Sequence, residues 1–205
     1  MQRTIRCSSA LLSTFLFAMM AVAQAPTTAN PDHFGVSSAD IAITFTTERA
    51  KIQSSSCSCF WLYGGGANAA ITFYRGLGIA TNLTAVHASN ITPGVNLGLL
   101  SFMVGPRYTF NVSRSARRNL RVFAEELVGY VHGFDSVFPG PNGTTFSSGA
   151  FSTQTGIGMD ISNHKGFGVR LFEADFVHTS LPNSSSNSQN DLRLAFGLSY
   201  RLTAR

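Results

Sequence analysis

Lysine is nearly missing from this chain. Of 205 residues, 15 are Lys or Arg, yet the only lysines are Lys51 and Lys165. Charged residues of all kinds make up 12%, about half the usual share. A water-soluble domain keeps its surface wet with such residues, so their scarcity argues against one. Long apolar runs are lacking as well. Outside the N-terminus no stretch approaches the roughly 20 apolar residues that a membrane helix requires, which excludes a helical membrane protein. The net charge of +5 brings no nucleic-acid motif with it. The basic residues are scattered except at Arg114, Arg117 and Arg118, so no nucleic-acid partner is expected. Cysteine is scarce too. Cys57-Ser58-Cys59 offers too few ligands for a zinc site. A disulfide between the two would be strained, and a loop disulfide and free thiols both stay open. Neither a metal nor a cofactor is implied.

The one apolar run, Ala10 to Val22, follows the basic MQRTIR and precedes Ala23-Gln24-Ala25. Basic head, short apolar centre and small-x-small end describe a secretory signal peptide, cut after Ala25. Cys7 is lost with it. Residues 26–38, rich in Pro, Thr and Asn, read as a flexible leader, leaving residues 39–205 as one domain.

That domain breaks into eight strand-length blocks separated by turn signals. They are Asp40–Arg49, Phe60–Tyr74, Leu77–His87, Asn96–Phe110, Leu120–His132, Phe151–Ile161, Phe167–Thr179 and Leu192–Leu202. In most, large apolar residues alternate with Gly, Ala, Ser, Thr, Asn or Arg. The last is the clearest: Leu192, Leu194, Phe196, Leu198, Tyr200 and Leu202 oppose Arg193, Ala195, Gly197, Ser199 and Arg201. Period two gives each strand two unlike faces. A soluble barrel would turn the apolar face inward and show water a charged one. Here the second face is small and almost free of lysine, which suits the narrow interior of an eight-stranded barrel. The apolar face therefore points to lipid. Connections after the odd strands are mostly longer than those after the even ones, and aromatics gather near strand ends (Trp61, Tyr63, Tyr74, Tyr108, Phe110, Tyr130, Tyr200). Both are features of outer-membrane barrels. The expected fold is all-β: an eight-stranded antiparallel up-and-down transmembrane β-barrel with both mature termini in the periplasm.

Between Ser38 and Leu202 the chain resembles the small bacterial outer-membrane β-barrel family, of the type of the outer-membrane protein A membrane domain. Gly105-Pro106-Arg107-Tyr108-Thr109-Phe110 resembles a segment common in these barrels. Glu173-Ala174-Asp175-Phe176-Val177-His178-Thr179 resembles their penultimate strand. Leu192 to Leu202 resembles the terminal strand read by the barrel assembly machinery, although Thr203-Ala204-Arg205 follows where a terminal aromatic is common. The resemblance implies a cell outer-membrane location, outer-membrane lipid and lipopolysaccharide as surroundings, and a monomer.

The fifth and seventh strands do not phase cleanly. Glu125 and Glu126 are adjacent, and Glu173 and Asp175 share parity with Val169 and Leu171 unless a bulge intervenes. The expectation is that Glu173, Asp175 and at least one of Glu125 and Glu126 face the lumen and pair there with Arg107, Arg193 and Arg201. A lumen plugged by ion pairs is the structural reading of that set; conduction or proton relay is the functional one. His178-Thr179-Ser180 and His87-Ala88-Ser89 are His-x-Ser pairs of the kind found in lipid A deacylases. A Ser nucleophile needs a base within reach and an orienting acid, and Ser is abundant enough here for chance matches, so His178 and Ser180 are catalytic candidates only in a runner-up reading. The leading reading is a non-enzymatic outer-membrane protein serving membrane integrity, surface interaction or weak small-solute passage. A lipid-modifying hydrolase comes second and a soluble lipocalin-like ligand-binding barrel third.

Overall fold

The computed structural model describes residues 36–52, 58–114, 118–140, 143–183 and 187–203. The signal peptide with its cut after Ala25, most of the leader, and Cys57 lie outside them. Residues Phe34–Arg205 form one compact unit. Its elements are β1 (Ser38–Ile52), β2 (Ser58–Tyr74), β3 (Leu77–Thr92), β4 (Val95–Arg114), β5 (Asn119–Gly140), β6 (Gly143–Ser162), β7 (Phe167–Thr179) and β8 (Gln189–Thr203). Each pairs antiparallel with the next, and β1 pairs with β8, from Ser38 opposite Thr203 to Arg49 opposite Leu192. Closure leaves no unpaired edge, the condition for a sheet to sit in a medium that offers its backbone no hydrogen bonds.

The faces divide as the alternation implies. Ile43, Phe102, Phe196 and Leu198 are among the exposed side chains of the outer wall, and Thr46, Glu48, Ser101 and Arg193 are buried inside. An apolar exterior around a polar interior excludes the lipocalin-like alternative, whose faces run the other way. Along β8 the outward apolar row runs from Leu192 to Leu202. Ten steps of about 3.3 Å, at the tilt of such barrels, give a band roughly 25 Å tall, the height of an outer-membrane hydrocarbon layer.

Two sequence expectations change. The segments read as long loops after the third and fifth blocks are mostly strand. β3 continues to Thr92 and meets β4 across Pro93-Gly94, and β5 continues to Gly140 and meets β6 at Gly143. Gly94 and Gly143 have φ of +78° and +127°, values that let the chain reverse tightly where Gly and Pro suggested only a loop. The same tight reversal at the opposite end, Arg75-Gly76, has φ of 45° and 92°, both positive as a type I′ hairpin turn requires. Lys51, placed in a connection by its sequence, lies within the pairing of β1, one residue before its end at Ile52.

The second change concerns phase. β5 needs no bulge around its acids. Arg121, Phe123, Glu125, Leu127 and Val131 are all buried, and Glu126 is left on the outer wall. The bulge lies in β7. Against β8, Arg170 pairs with Gly197 and Glu173 with Ala195, so Leu171 and Phe172 together face one residue. Both are exposed. The extra residue turns Arg170 and Glu173, three apart, to the same side.

Inside, the end of the barrel where β1 ends and β8 begins is filled by an apolar cluster of Leu62, Val86, Leu99, Val131 and Leu181. Leu181 comes from the β7–β8 connection and is 2% exposed. A smaller cluster of Ala70, Ala80, Met103, Leu127 and Val177 lies deeper. The remaining lumen is charged.

Candidate functional site

The lumen charges come from inward positions of six strands. β1 supplies Asp40 and Glu48, β4 Arg107, and β5 Arg121 and Glu125. β6 supplies Asp160, β7 Arg170, Glu173 and Asp175, and β8 Asp191, Arg193 and Arg201. Charges on a dry interior cost several kcal/mol each unless paired, and most of these are paired.

Near the termini, Arg121 donates to Asp40 at 2.9 Å, and Arg201 lies 3.8 Å from the same carboxylate and bonds Ser38. In the middle, Arg170 donates to Asp160 at 2.9 Å and to Glu173 at 2.6 Å. Arg107 donates to Glu125 at 2.6 Å and to the side-chain oxygen of Asn68 at 2.8 Å. Phe123 separates the two guanidinium groups, with Arg107 4.2 Å and Arg170 4.6 Å from its ring centroid. A ring face attracts cations, so one aromatic holds two like charges apart and favours both. Higher up, Arg193 donates to Glu48 at 2.8 Å and to Gln154 at 3.1 Å, and Gln154 in turn donates to Glu125 at 3.3 Å. Gln154 thereby joins the upper and middle groups.

The six residues singled out from sequence thus all enter the lumen. Arg107 meets Glu125, a pairing within the expected set. The other two arginines meet acids that sequence did not supply. Arg193 meets Glu48 on β1, although Asp175 is its register neighbour on β7. Arg201 meets Asp40. Arg170, the largest fully buried side chain among the described residues, was missed because strict alternation sets it opposite Glu173 and only the bulge brings the two to one side. Glu48 was legible: continuing Ala42, Thr44 and Thr46 by one step of two reaches it.

Seven inward acids face five inward arginines among the described residues, an excess of two acids. Above them, the mouth holds a cavity of about 250 Å³ between Phe60, Ile91, Leu97, Phe138 and Leu181, with Asp191 at its edge.

The His-x-Ser pairs lie elsewhere. His178 is half-buried, and its Nδ1 is 2.8 Å from Asn190 on β8. His87 and Ser89 are exposed and bonded to each other at 3.1 Å. Among the described residues no carboxylate is hydrogen-bonded to either ring. Cys59 is half-buried in β2.

No family model matches the chain, and no curated protein does. Solved structures do. Neisserial surface protein A superposes with a TM-score of 0.54 at 14% identity, over 78% of this chain and 96% of that one. Ail, the attachment invasion locus protein of Yersinia pestis, gives a TM-score of 0.49 at 14% identity, over 82% of this chain and 99% of that one. The outer membrane protein OprG of Pseudomonas aeruginosa gives 0.49 at 10% identity, over 85% and 100%. At such identities the likeness is one of fold, and it rests on the first of the three. That fold is the small closed barrel which the sequence resemblance implied.

Proposed function

We propose that this chain is a non-enzymatic integral protein of the bacterial outer membrane, with a sealed lumen and its working surface at the loop end of the barrel. The observation that carries the proposal is the inside-out polarity: an apolar wall around a salt-bridged interior roofed by Leu62, Leu99, Val131 and Leu181. The wall faces outer-membrane lipid and lipopolysaccharide. β8, the strand that closes the barrel, is what the assembly machinery would read. A charged but interlocked lumen under an apolar roof favours membrane integrity and surface interaction over solute passage. The working surface is the ribbon of β5 and β6. These strands have 22 and 20 residues, against 13 in β7, and Phe146 on the ribbon is 80% exposed. Presentation of such a ribbon on the cell surface accords with the fold shared with Neisserial surface protein A.

Two measurements test this. In planar bilayers the purified barrel should give no conductance steps above leak; stable open channels would overturn the sealed lumen. With Cys57→Ser and Cys59→Ser in the background, a cysteine introduced at Phe146 should react with an impermeant maleimide on intact cells. Labelling only after the outer membrane is breached would reverse the orientation.

A further inference from the structure

Two inward acids, Asp175 and Asp191, have no ion pair among the described residues, and Asp175 is the more fully buried of the two. It is 1% exposed, and neither of its carboxylate oxygens has a hydrogen-bond partner among the described residues. It points at two other acids. Carboxylate oxygens of Glu125, Glu173 and Asp175 all lie within 4.8 Å of one another, and Glu173 Oε1 also lacks a partner. Three buried carboxylates this close repel one another strongly in a medium of low dielectric. Arg107 and Arg170 each engage one oxygen of Glu125 and Glu173 and leave Asp175 unanswered.

The convergence is built into the backbone. Gly156 on β6 lies opposite Glu125 on one side and Asp175 on the other. A Cβ at this position would collide with Asp175 Oδ1 and touch Glu125 Cγ. The missing side chain opens the space into which the acids turn. The lumen as a whole has two acids more than arginines, so the charge required to balance it is +2.

We propose that Glu125, Glu173 and Asp175 bind one hard divalent cation of the calcium type inside the barrel. Calcium accepts carboxylate oxygens at 2.3–2.6 Å in flexible arrangements, so two ligands on opposite sides stand about 5 Å apart. The separations here fall inside that span. The ion would tie β5 to β7 across β6 and supply the charge that the arginines do not. It acts as a structural ion of the lumen, independent of what the loop end binds.

The test uses the full mature barrel, refolded in detergent without lipopolysaccharide so that no lipid-bound calcium is counted. Barrels refolded in millimolar calcium and then desalted should retain one calcium per chain by elemental analysis. Their urea midpoint should lie above that of barrels refolded in EDTA. Asp175→Asn keeps the shape and removes the charge; Gly156→Ala fills the space. Each should weaken calcium binding at least tenfold and abolish the calcium-dependent shift in midpoint. Glu126→Gln, on the outer wall, should leave both unchanged. A folded wild-type barrel that retains no calcium and unfolds alike in calcium and EDTA overturns the proposal and leaves protons on two of the carboxyls as the balancing charge. Retention of full affinity in a folded Asp175→Asn or Gly156→Ala barrel overturns it as well. Wild-type retention decides the matter should neither variant fold.

Discussion

Glu48 on β1 and Arg193 on β8 are register partners across the seam that closes the barrel, and Arg193 Nε donates to Glu48 Oε2 at 2.8 Å. They are 145 residues apart in sequence and are among the last groups brought together as the barrel shuts. Both are at most 3% exposed. Removal of one partner leaves an uncompensated charge in the lumen, a loss of about 3–5 kcal/mol for pairs of this kind. Arg193→Met should therefore lower unfolding stability by that amount in urea titrations in detergent or liposomes. Arg193→Met with Glu48→Gln should recover most of it, since Glu48 is then no longer left as a lone charge. Equal losses in the single and double variants would mean that Arg193 acts instead through the hydrogen bonds it donates to Gln154 at 3.1 Å and Ser101 at 3.5 Å.

The β7 bulge sets which side chains enter the lumen. Deletion of Leu171 removes the extra residue and leaves Arg170 and Glu173 two apart, so strict alternation keeps both inward. That variant should fold, read as retention of the heat-modifiable band on unboiled gels. Deletion of Leu171 and Phe172 together makes Arg170 and Glu173 adjacent, so one of them is driven into the wall with its partners left behind. The band should then be lost; its retention would mean that the strand re-forms a bulge elsewhere.

The outer wall answers to depth. Phe196 is 56% exposed and packs on Phe45 with ring centroids 5.4 Å apart. It lies at the centre of the outward row of β8. Phe196→Arg should cost about 2–4 kcal/mol in liposome unfolding, and Leu202→Arg at the row's end about 0–1 kcal/mol. Similar costs at both sites would contradict a membrane-spanning band centred on Phe196.

Glu126 is the acid that alternation sends outward. It accepts a hydrogen bond from Thr155 Oγ1 at 2.6 Å and lies between Ala124 and Val128 in the outward row. A carboxyl on a lipid-facing wall is unfavourable, though less so than a basic residue. Glu126→Leu should raise stability in lipid vesicles by about 1–2 kcal/mol. A loss of stability would show that the Thr155 bond outweighs the exposure to lipid.

Much of the fold was legible because it is local. A strand's alternation is fixed by its own backbone geometry, so Leu192 to Leu202 shows two faces without reference to any neighbour. The near absence of lysine then chose lipid for the apolar face. The Gly/Pro stretches around Pro93-Gly94 and Gly140–Gly143 misled because the same residues make a loose loop or a tight turn, and only the pairing of the flanking strands separates the two. The candidate site was legible in membership and only in part in pairing. Arg107, Glu125, Glu173, Asp175, Arg193 and Arg201 carry charges that an apolar wall would reject, and Arg107 meets Glu125 on the next strand. Arg193 and Arg201 instead meet Glu48 and Asp40 on β1, a neighbour that β8 gains only when the barrel closes.

The sequence by itself determined eight strands and, in all but the fifth and seventh, which face turns to lipid, because period-two patterning and a lysine-poor second face are properties of single segments. The tertiary structure decided that Arg193 meets Glu48, that Arg170 serves Asp160 and Glu173 from behind a bulge, and that Asp175 is left facing two other acids. Those outcomes depend on how the closed sheet staggers its strands around a narrow lumen. Stagger is a relation among all eight strands, and no one of them encodes it alone.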